Sequence, residues 1–285
     1  MPTSFAKKVE TAFEKYGQLC VGIDPHAALL SDWGLDDNVT GLEEFANRAL
    51  DAAVGRVGII KPQVSFFERH GSAGFAVLEK LAERAAATDV VVIMDAKRGD
   101  IGTTMDAYFD AWLGANAPFV CDALTVSPYL GFDSLKPLMK ECLERGKGLF
   151  VLSATSNPEG AALQRATTGN ETIAAQIWHG LGEINRVTAG PNEKFGSFGA
   201  VLGATLNLNS FGLSSVLEGQ ASAGTLILAP GFGAQGAELS ASKILFGAAS
   251  AQTLHSVSRS VLSAGANGMA KAIDAAKAEL VVGLG

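Results

Sequence analysis

Apolar runs rich in Val, Ile and Leu recur along the chain, each followed by a longer stretch of helical period. The runs predict strands over 19–24 (LCVGID), 58–63 (GIIKPQ), 90–97 (VVVIMDAK) and 119–126 (FVCDALTV). Four more follow over 148–154 (GLFVLSA), 198–205 (FGAVLGAT), 225–230 (TLILAP) and 253–259 (TLHSVSR). The intervening stretches predict helices over 40–54, 72–87, 103–115, 133–145, 171–186, 209–218 and 260–280. Unbroken apolar strands, rather than alternating ones, are expected where helices cover a sheet.

Eight strand–helix alternations with no low-complexity linker predict a single domain over 1–285. The expected architecture is α/β, a (β/α)8 TIM barrel, with an open doubly wound sheet as the structural rival. The unit between strands seven and eight is the weakest, because 236–250 is rich in Gly, Ala and Ser. The longest irregular stretch, TSNPEGAALQRATTGN over 155–170, has the length of a lid or binding loop.

Composition narrows the class. With 48% hydrophobic and 18% charged residues the chain can fill a large core and is not disordered. A net charge of −7 argues against a nucleic-acid partner, which would need a clustered basic face. Cys20, Cys121 and Cys142 are far apart and form no C-x-x-C pair, as in a reduced cytoplasmic protein. The start, MPTSFAKKVETAFEKYG, lacks the apolar centre of a signal peptide. The uncharged window between Lys194 and Glu218 holds Ser197, Asn207, Asn209, Ser210 and four glycines. It reads as a strand and a loop rather than a membrane span.

Chemistry in a barrel gathers at the C-terminal strand ends. Here those ends carry Asp24, then Lys61, then Asp95 with Lys97, then Ser127. Strand five runs into Ser153, Thr155 and Ser156, Gln235 follows strand seven, and Arg259 closes strand eight. The densest cluster is MDAKRGDIGTT over 94–104. Asp95 and Lys97 are two apart on a strand and so share a face. Asp100 follows the turn that Gly99 permits. A lysine between carboxylates keeps its proton, which suits a proton donor and not a Schiff-base nucleophile. The same carboxylates could hold Mg²⁺, but a fixed ammonium among them would repel it, so no metal is expected. A surface ion network is the bland alternative, and the apolar VVVIMDAK strand argues against it.

Gly231, Gly233 and Gly236 spell G-x-G-x-x-G after a strand, the outline of a dinucleotide fingerprint. The acid that should follow about twenty residues later is missing, since 239–273 contains no Asp or Glu. The residue near that distance is the cation Arg259. The loop over 230–236 therefore reads as a monophosphate clamp, with glycines at 231, 233 and 236 letting backbone N–H groups approach an anion and side-chain donors from Gln235 and Arg259. His26, His70, His179 and His255 have no zinc-ligand spacing, and no G-x-S-x-G elbow is present.

With these residues assembled, the chain resembles the orotidine 5′-phosphate decarboxylase family in its longer-chain bacterial form, over nearly its whole length. The most specific element is D-x-K-x-x-D-I-x-x-T, present as Asp95, Lys97, Asp100, Ile101 and Thr104. The resemblance implies a cofactor-free enzyme that decarboxylates orotidine 5′-monophosphate to uridine 5′-monophosphate in pyrimidine synthesis. It implies that Asp95 lies beside the substrate carboxylate and that Lys97 protonates the ring carbon. It further implies a cytoplasmic homodimer with shared sites, Asp100 and Thr104 reaching into the partner's site. Asp24 and Lys61 match ribose-contacting positions, and Gln235 and Arg259 the phosphate-contacting pair. Ser156 matches the pyrimidine contact, with Ser153, Thr155 or Ser127 as alternatives. Two rivals are a Mg²⁺-dependent sugar-phosphate decarboxylase or epimerase and a non-catalytic nucleotide-binding barrel.

Overall fold

In five of the strands the interior-facing residues begin apolar and end polar at the C-terminal end, as where Ile59 leads to Lys61 and Ile93 to Asp95, and these supply the polar part of the site. The computed structural model describes residues 2–218 and 224–285. Eight parallel strands close into a barrel. They are β1 (Leu19–Ile23), β2 (Ile59–Pro62), β3 (Val91–Arg98), β4 (Ala123–Val126), β5 (Gly148–Ala154), β6 (Phe198–Leu202), β7 (Leu226–Pro230) and β8 (Thr253–Val257). Each pairs with its sequence neighbours, and β1 pairs with β8, Leu19 opposite His255. The chain is thus the expected single-domain (β/α)8 TIM barrel, not an open sheet.

Helices such as Val39–Ala53, Gly71–Ala86, Gly102–Trp112, Lys136–Arg145 and Ile173–Thr188 alternate with the strands and form the outer layer. Two hydrophobic clusters result. The large one lies between strands and helices, and the small one fills the barrel itself with Cys20, Ile59, Ile93, Phe150, Leu226 and Leu254 among its members. Counting two residues onward from these interior positions reaches Lys61, Asp95 and Ser256 at the C-terminal mouth.

Where the strand–helix pattern assigns nothing, the structure forms a helix over Phe5–Tyr16, capped by Ser4, whose side chain accepts from the Lys7 N–H. Phe5, Val9 and Ala12 recur on one face and plug the N-terminal end of the barrel, Phe5 meeting Phe150 edge-on at 5.9 Å. Chemistry is thereby confined to the opposite mouth.

Boundaries differ from the sequence reading in several places, and β6, expected over 198–205, ends at Leu202. Residues 119–122 are not part of β4, which starts at Ala123, and the Asp122 carboxylate accepts from the Val92 N–H beside it. β8 ends at Val257, so Arg259 is the first residue of the short helix Arg259–Leu262. The 155–170 stretch is not featureless: it holds a 3-10 turn Pro158–Gly160, a short helix Ala161–Gln164 and one strand of a small hairpin, Thr167–Thr168 with Glu171–Thr172. Between β7 and β8 the crossover consists of short helical pieces, including Ser242–Phe246. Among the described residues no helix is long and apolar enough to cross a membrane.

Candidate active site

Asp95 stands at the centre of the barrel mouth and is 8% exposed. Its Oδ2 accepts from Lys61 Nζ at 2.7 Å and from Gln63 Nε2 at 3.0 Å. Its Oδ1 accepts from Lys97 Nζ at 2.5 Å and from Thr125 Oγ1 at 3.0 Å. Four donors from three adjacent strands or their ends thus converge on one carboxylate. Burial alone would push the Asp95 carboxyl up, but the two ammonium groups outweigh it and hold it well below the usual carboxylate range. Lys61 mirrors this: burial would pull its ammonium down, and the charges of Asp95 and Asp24 raise it above the usual lysine range instead.

The two lysines are not equivalent. The Lys61 side chain is 8% exposed, whereas that of Lys97 is 46% exposed. Lys61 therefore acts as a buried counter-ion, and Lys97 presents its ammonium to whatever enters the cleft. Lys97 also adopts φ +50°, alone among the described non-glycine residues in having positive φ. This left-handed geometry costs on the order of 1–3 kcal/mol for such a residue and collects at functional sites. Its origin is a register shift: Met94 pairs with Leu124, but Arg98 already pairs with Val126.

A cleft of about 400 Å³ opens above this cluster. It brings together Asp24, Lys61, Asp95, Lys97, Ser156, Gln235 and Arg259 from six different strand ends or following loops. Asp24 Oδ2 accepts from Ser258 Oγ, while its Oδ1 is buried without a hydrogen-bond partner. Gly22 allows that approach, since a Cβ there would lie 2.9 Å from the Ser258 Cβ. Arg259 is exposed and forms no ion pair among the described residues, so its guanidinium is free for an anion. Ser156 Oγ lies 3.4 Å from Gln235 Oε1 and links the loops after β5 and β7.

Four expected residues lie elsewhere. Gly233 and Gly236 line an adjoining hollow with Ser260 and Glu279, not the cleft. Their N–H groups bond within the loop, to Ala237 O and Gly233 O at 2.8 Å each, while Gly231, Gln235 and Arg259 of the expected clamp line the cleft. Positive φ values of +70° and +104° explain why these positions are glycine. Asp100 and Thr104 also lie outside the cleft of their own chain. Asp100 Oδ1 accepts from the Ile101 N–H, and Thr104 is exposed. Of the alternatives to Ser156, Thr155 lines the cleft, Ser127 does not, and the Ser153 hydroxyl is bonded to Ala174 O.

Gln63, Thr125 and Ser258 were not among the predicted site residues. Gln63 sits two residues after Lys61, and Ser258 two after Ser256, so the period that marked Asp95 and Lys97 marks them as well. A hydroxyl in the apolar run ALTV is the only signal for Thr125. Among the described residues no group of three or more His, Cys, Asp or Glu side chains converges as metal ligands.

The sequence matches the orotidine 5′-phosphate decarboxylase / HUMPS family over residues 17–274. An orotidine 5′-phosphate decarboxylase of Streptomyces coelicolor is 48% identical over 260 residues, covering 90% of this chain and 89% of its own. One from Salinispora arenicola is 46% identical over 263 residues, covering 92% and 91%. A crystal structure of a candidate orotidine 5′-phosphate decarboxylase from Streptomyces avermitilis superimposes with a TM-score of 0.91 at 44% identity, covering 100% of this chain and 97% of that one. The OMP decarboxylase of Leishmania donovani follows with a TM-score of 0.76 at 28% identity, covering 99% and 100%. By sequence and by fold, this chain belongs to the orotidine 5′-phosphate decarboxylase / HUMPS family.

Proposed function

We propose that this chain is a carboxy-lyase converting orotidine 5′-monophosphate to uridine 5′-monophosphate in pyrimidine synthesis, with Lys97 as proton donor and no cofactor. The bond from the pyrimidine ring carbon to the carboxylate breaks, CO₂ leaves, and the electron pair stays on the ring carbon. No π-system delocalises that pair, so the site must stabilise it electrostatically. The Lys97 ammonium does so and then transfers its proton to the carbon, regaining one from solvent.

The observation that carries this reading is the Lys97 ammonium, held 2.5 Å from Asp95 and exposed to a cleft that Gln235 and Arg259 also line. A phosphate gripped by Arg259 and Gln235 fixes the nucleotide while the ring meets Lys97, so remote binding contributes at the reacting carbon. The unpartnered Asp24 Oδ1 suits a ribose hydroxyl. Asp95 faces the substrate carboxylate in this arrangement. Its own charge is already matched by two ammonium groups, which disfavours its use as a Mg²⁺ ligand.

The same proposal takes the 155–170 segment as a lid, supported by the contact of Ser156 with the loop after β7, and Ser156 as the pyrimidine contact. It takes the protein as a cytoplasmic homodimer in which Asp100 and Thr104 complete the partner's site. Support comes from their position outside their own cleft, beside Ile101, which is 59% exposed. Tyr129 and Leu130, on the loop after the adjacent strand β4, are also exposed.

Incubation with orotidylate in the presence of EDTA, followed by its absorbance, tests the reading. Turnover that survives chelation supports it. Loss of activity on chelation points to the Mg²⁺-dependent sugar-phosphate chemistry, and binding of uridylate without turnover to a silent nucleotide-binding barrel.

A further inference from the structure

We infer that Thr125 is a positioning residue for the reaction, setting the place of the Lys97 ammonium through one hydroxyl group; this rests on the decarboxylase reading. The register shift leaves the backbone of β3 between Met94 and Arg98 out of step with β4, so the ordinary ladder acceptor is out of place for the Lys97 N–H. The Thr125 side chain supplies one instead: Lys97 N donates to Thr125 Oγ1 at 2.9 Å. The ladder resumes one step on, where Ser127 N donates to Arg98 O at 2.8 Å.

The direction of the second bond follows from the first. A backbone N–H can only donate, so the Thr125 oxygen accepts from Lys97 and keeps its own proton for another acceptor. That acceptor is Asp95 Oδ1, 3.0 Å away, the same oxygen that receives the Lys97 ammonium at 2.5 Å. One hydroxyl thus ties both ends of Lys97, its backbone directly and its ammonium through Asp95. Thr125 is 1% exposed and β4 around it is apolar, which leaves the hydroxyl no competing partner in water. Valine has nearly the same shape and would satisfy packing alone, so the hydroxyl is what distinguishes this position. Without it, the positive φ of Lys97 loses its side-chain anchor, and the ammonium is free to drift from the point where the carbanion forms.

The test compares Thr125→Val and Thr125→Ser with the unaltered protein on orotidylate, measuring kcat and KM separately along with uridylate affinity. Thr125→Val should lower kcat by about 10- to 100-fold, the scale of a small misplacement of a reacting group. KM and uridylate affinity should change little, because Gln235 and Arg259 are untouched. Thr125→Ser keeps the hydroxyl and drops one methyl, and should recover most of kcat. A folded Thr125→Val protein with unaltered kcat would overturn the inference alone. So would a Thr125→Ser protein as slow as the valine variant, or one losing affinity rather than turnover. Absence of turnover in the unaltered protein would overturn the decarboxylase reading, and the inference with it.

Discussion

Replacing Asp95 by Asn removes a negative charge from between two ammonium groups and forces an amide NH₂ toward a donor. Both Asp95 oxygens face donors only, Lys61 and Gln63 on one side, Lys97 and Thr125 on the other. Whichever way the amide turns, two donors lose their acceptor. The heavier loss falls on Lys61, whose side chain is 8% exposed and whose remaining carboxylate neighbour is Asp24. Leaving a buried charge without its partner costs about 3–5 kcal/mol. Asp95→Asn should therefore lower the unfolding free energy by that amount at pH 7 in urea titrations. Because the Asp95 carboxyl is lowered on folding, its contribution is present above the ordinary carboxylate value of about 3.9 and is lost as pH falls through the folded value. Lys61 is raised, so its contribution is complete below about 10.4 and is lost as pH rises through its folded value. The difference between the two proteins should accordingly be flat from about pH 5 to pH 10. Adding Lys61→Met to Asp95→Asn should restore much of the stability, since removal of a whole buried pair is often neutral. A loss below about 1 kcal/mol, typical of a solvated pair, would refute the argument that Asp95 is the buried counter-ion of Lys61.

Other consequences follow from the same geometry. Arg259→Ala should weaken uridylate binding by about 1.5–3 kcal/mol, roughly 10- to 150-fold, as read by calorimetry, and an unchanged affinity would remove Arg259 from the phosphate grip. His255 is buried beside Ser242, and burial pushes its imidazole down to about 4. The unfolded chain then binds the proton first, so stability should fall by up to about 3 kcal/mol between pH 6.5 and pH 4, and His255→Gln should show a shallower decline over that range. Equal slopes in the two proteins would exclude His255 as the cause. Mixing inactive Lys97→Ala and Asp100→Asn proteins should recover activity if sites are shared across a dimer, and mixtures that stay inactive would argue for sites complete within one chain.

The barrel was legible because eight unbroken apolar runs alternate with helical stretches, and the polar rim because on β1, β2, β3, β4 and β8 period two carries the interior face to a charged or hydroxyl residue. Lys61, Asp95 and Lys97 were readable for that reason. Their difference in exposure was not, since burial depends on how deep each strand seats its side chain. The left-handed turn at Lys97 was equally hidden, because it arises from the pairing of β3 with β4 and not from either strand alone. At Gly233 and Gly236 the sequence marked the need for unusual backbone angles, but which N–H groups the loop keeps for itself is a matter of its closed hydrogen bonding. The plug formed by Phe5–Tyr16 was missed because it precedes the repeating strand–helix pattern and packs against the barrel end rather than its side.

Turnover of orotidylate by Lys97→Ala, measured beside its affinity for uridylate, tests the central claim that the Lys97 ammonium delivers the proton. The account predicts a fall in kcat of at least about 100-fold with the phosphate grip of Gln235 and Arg259 retained. A folded variant that keeps kcat within tenfold of the unaltered protein, roughly, would contradict it.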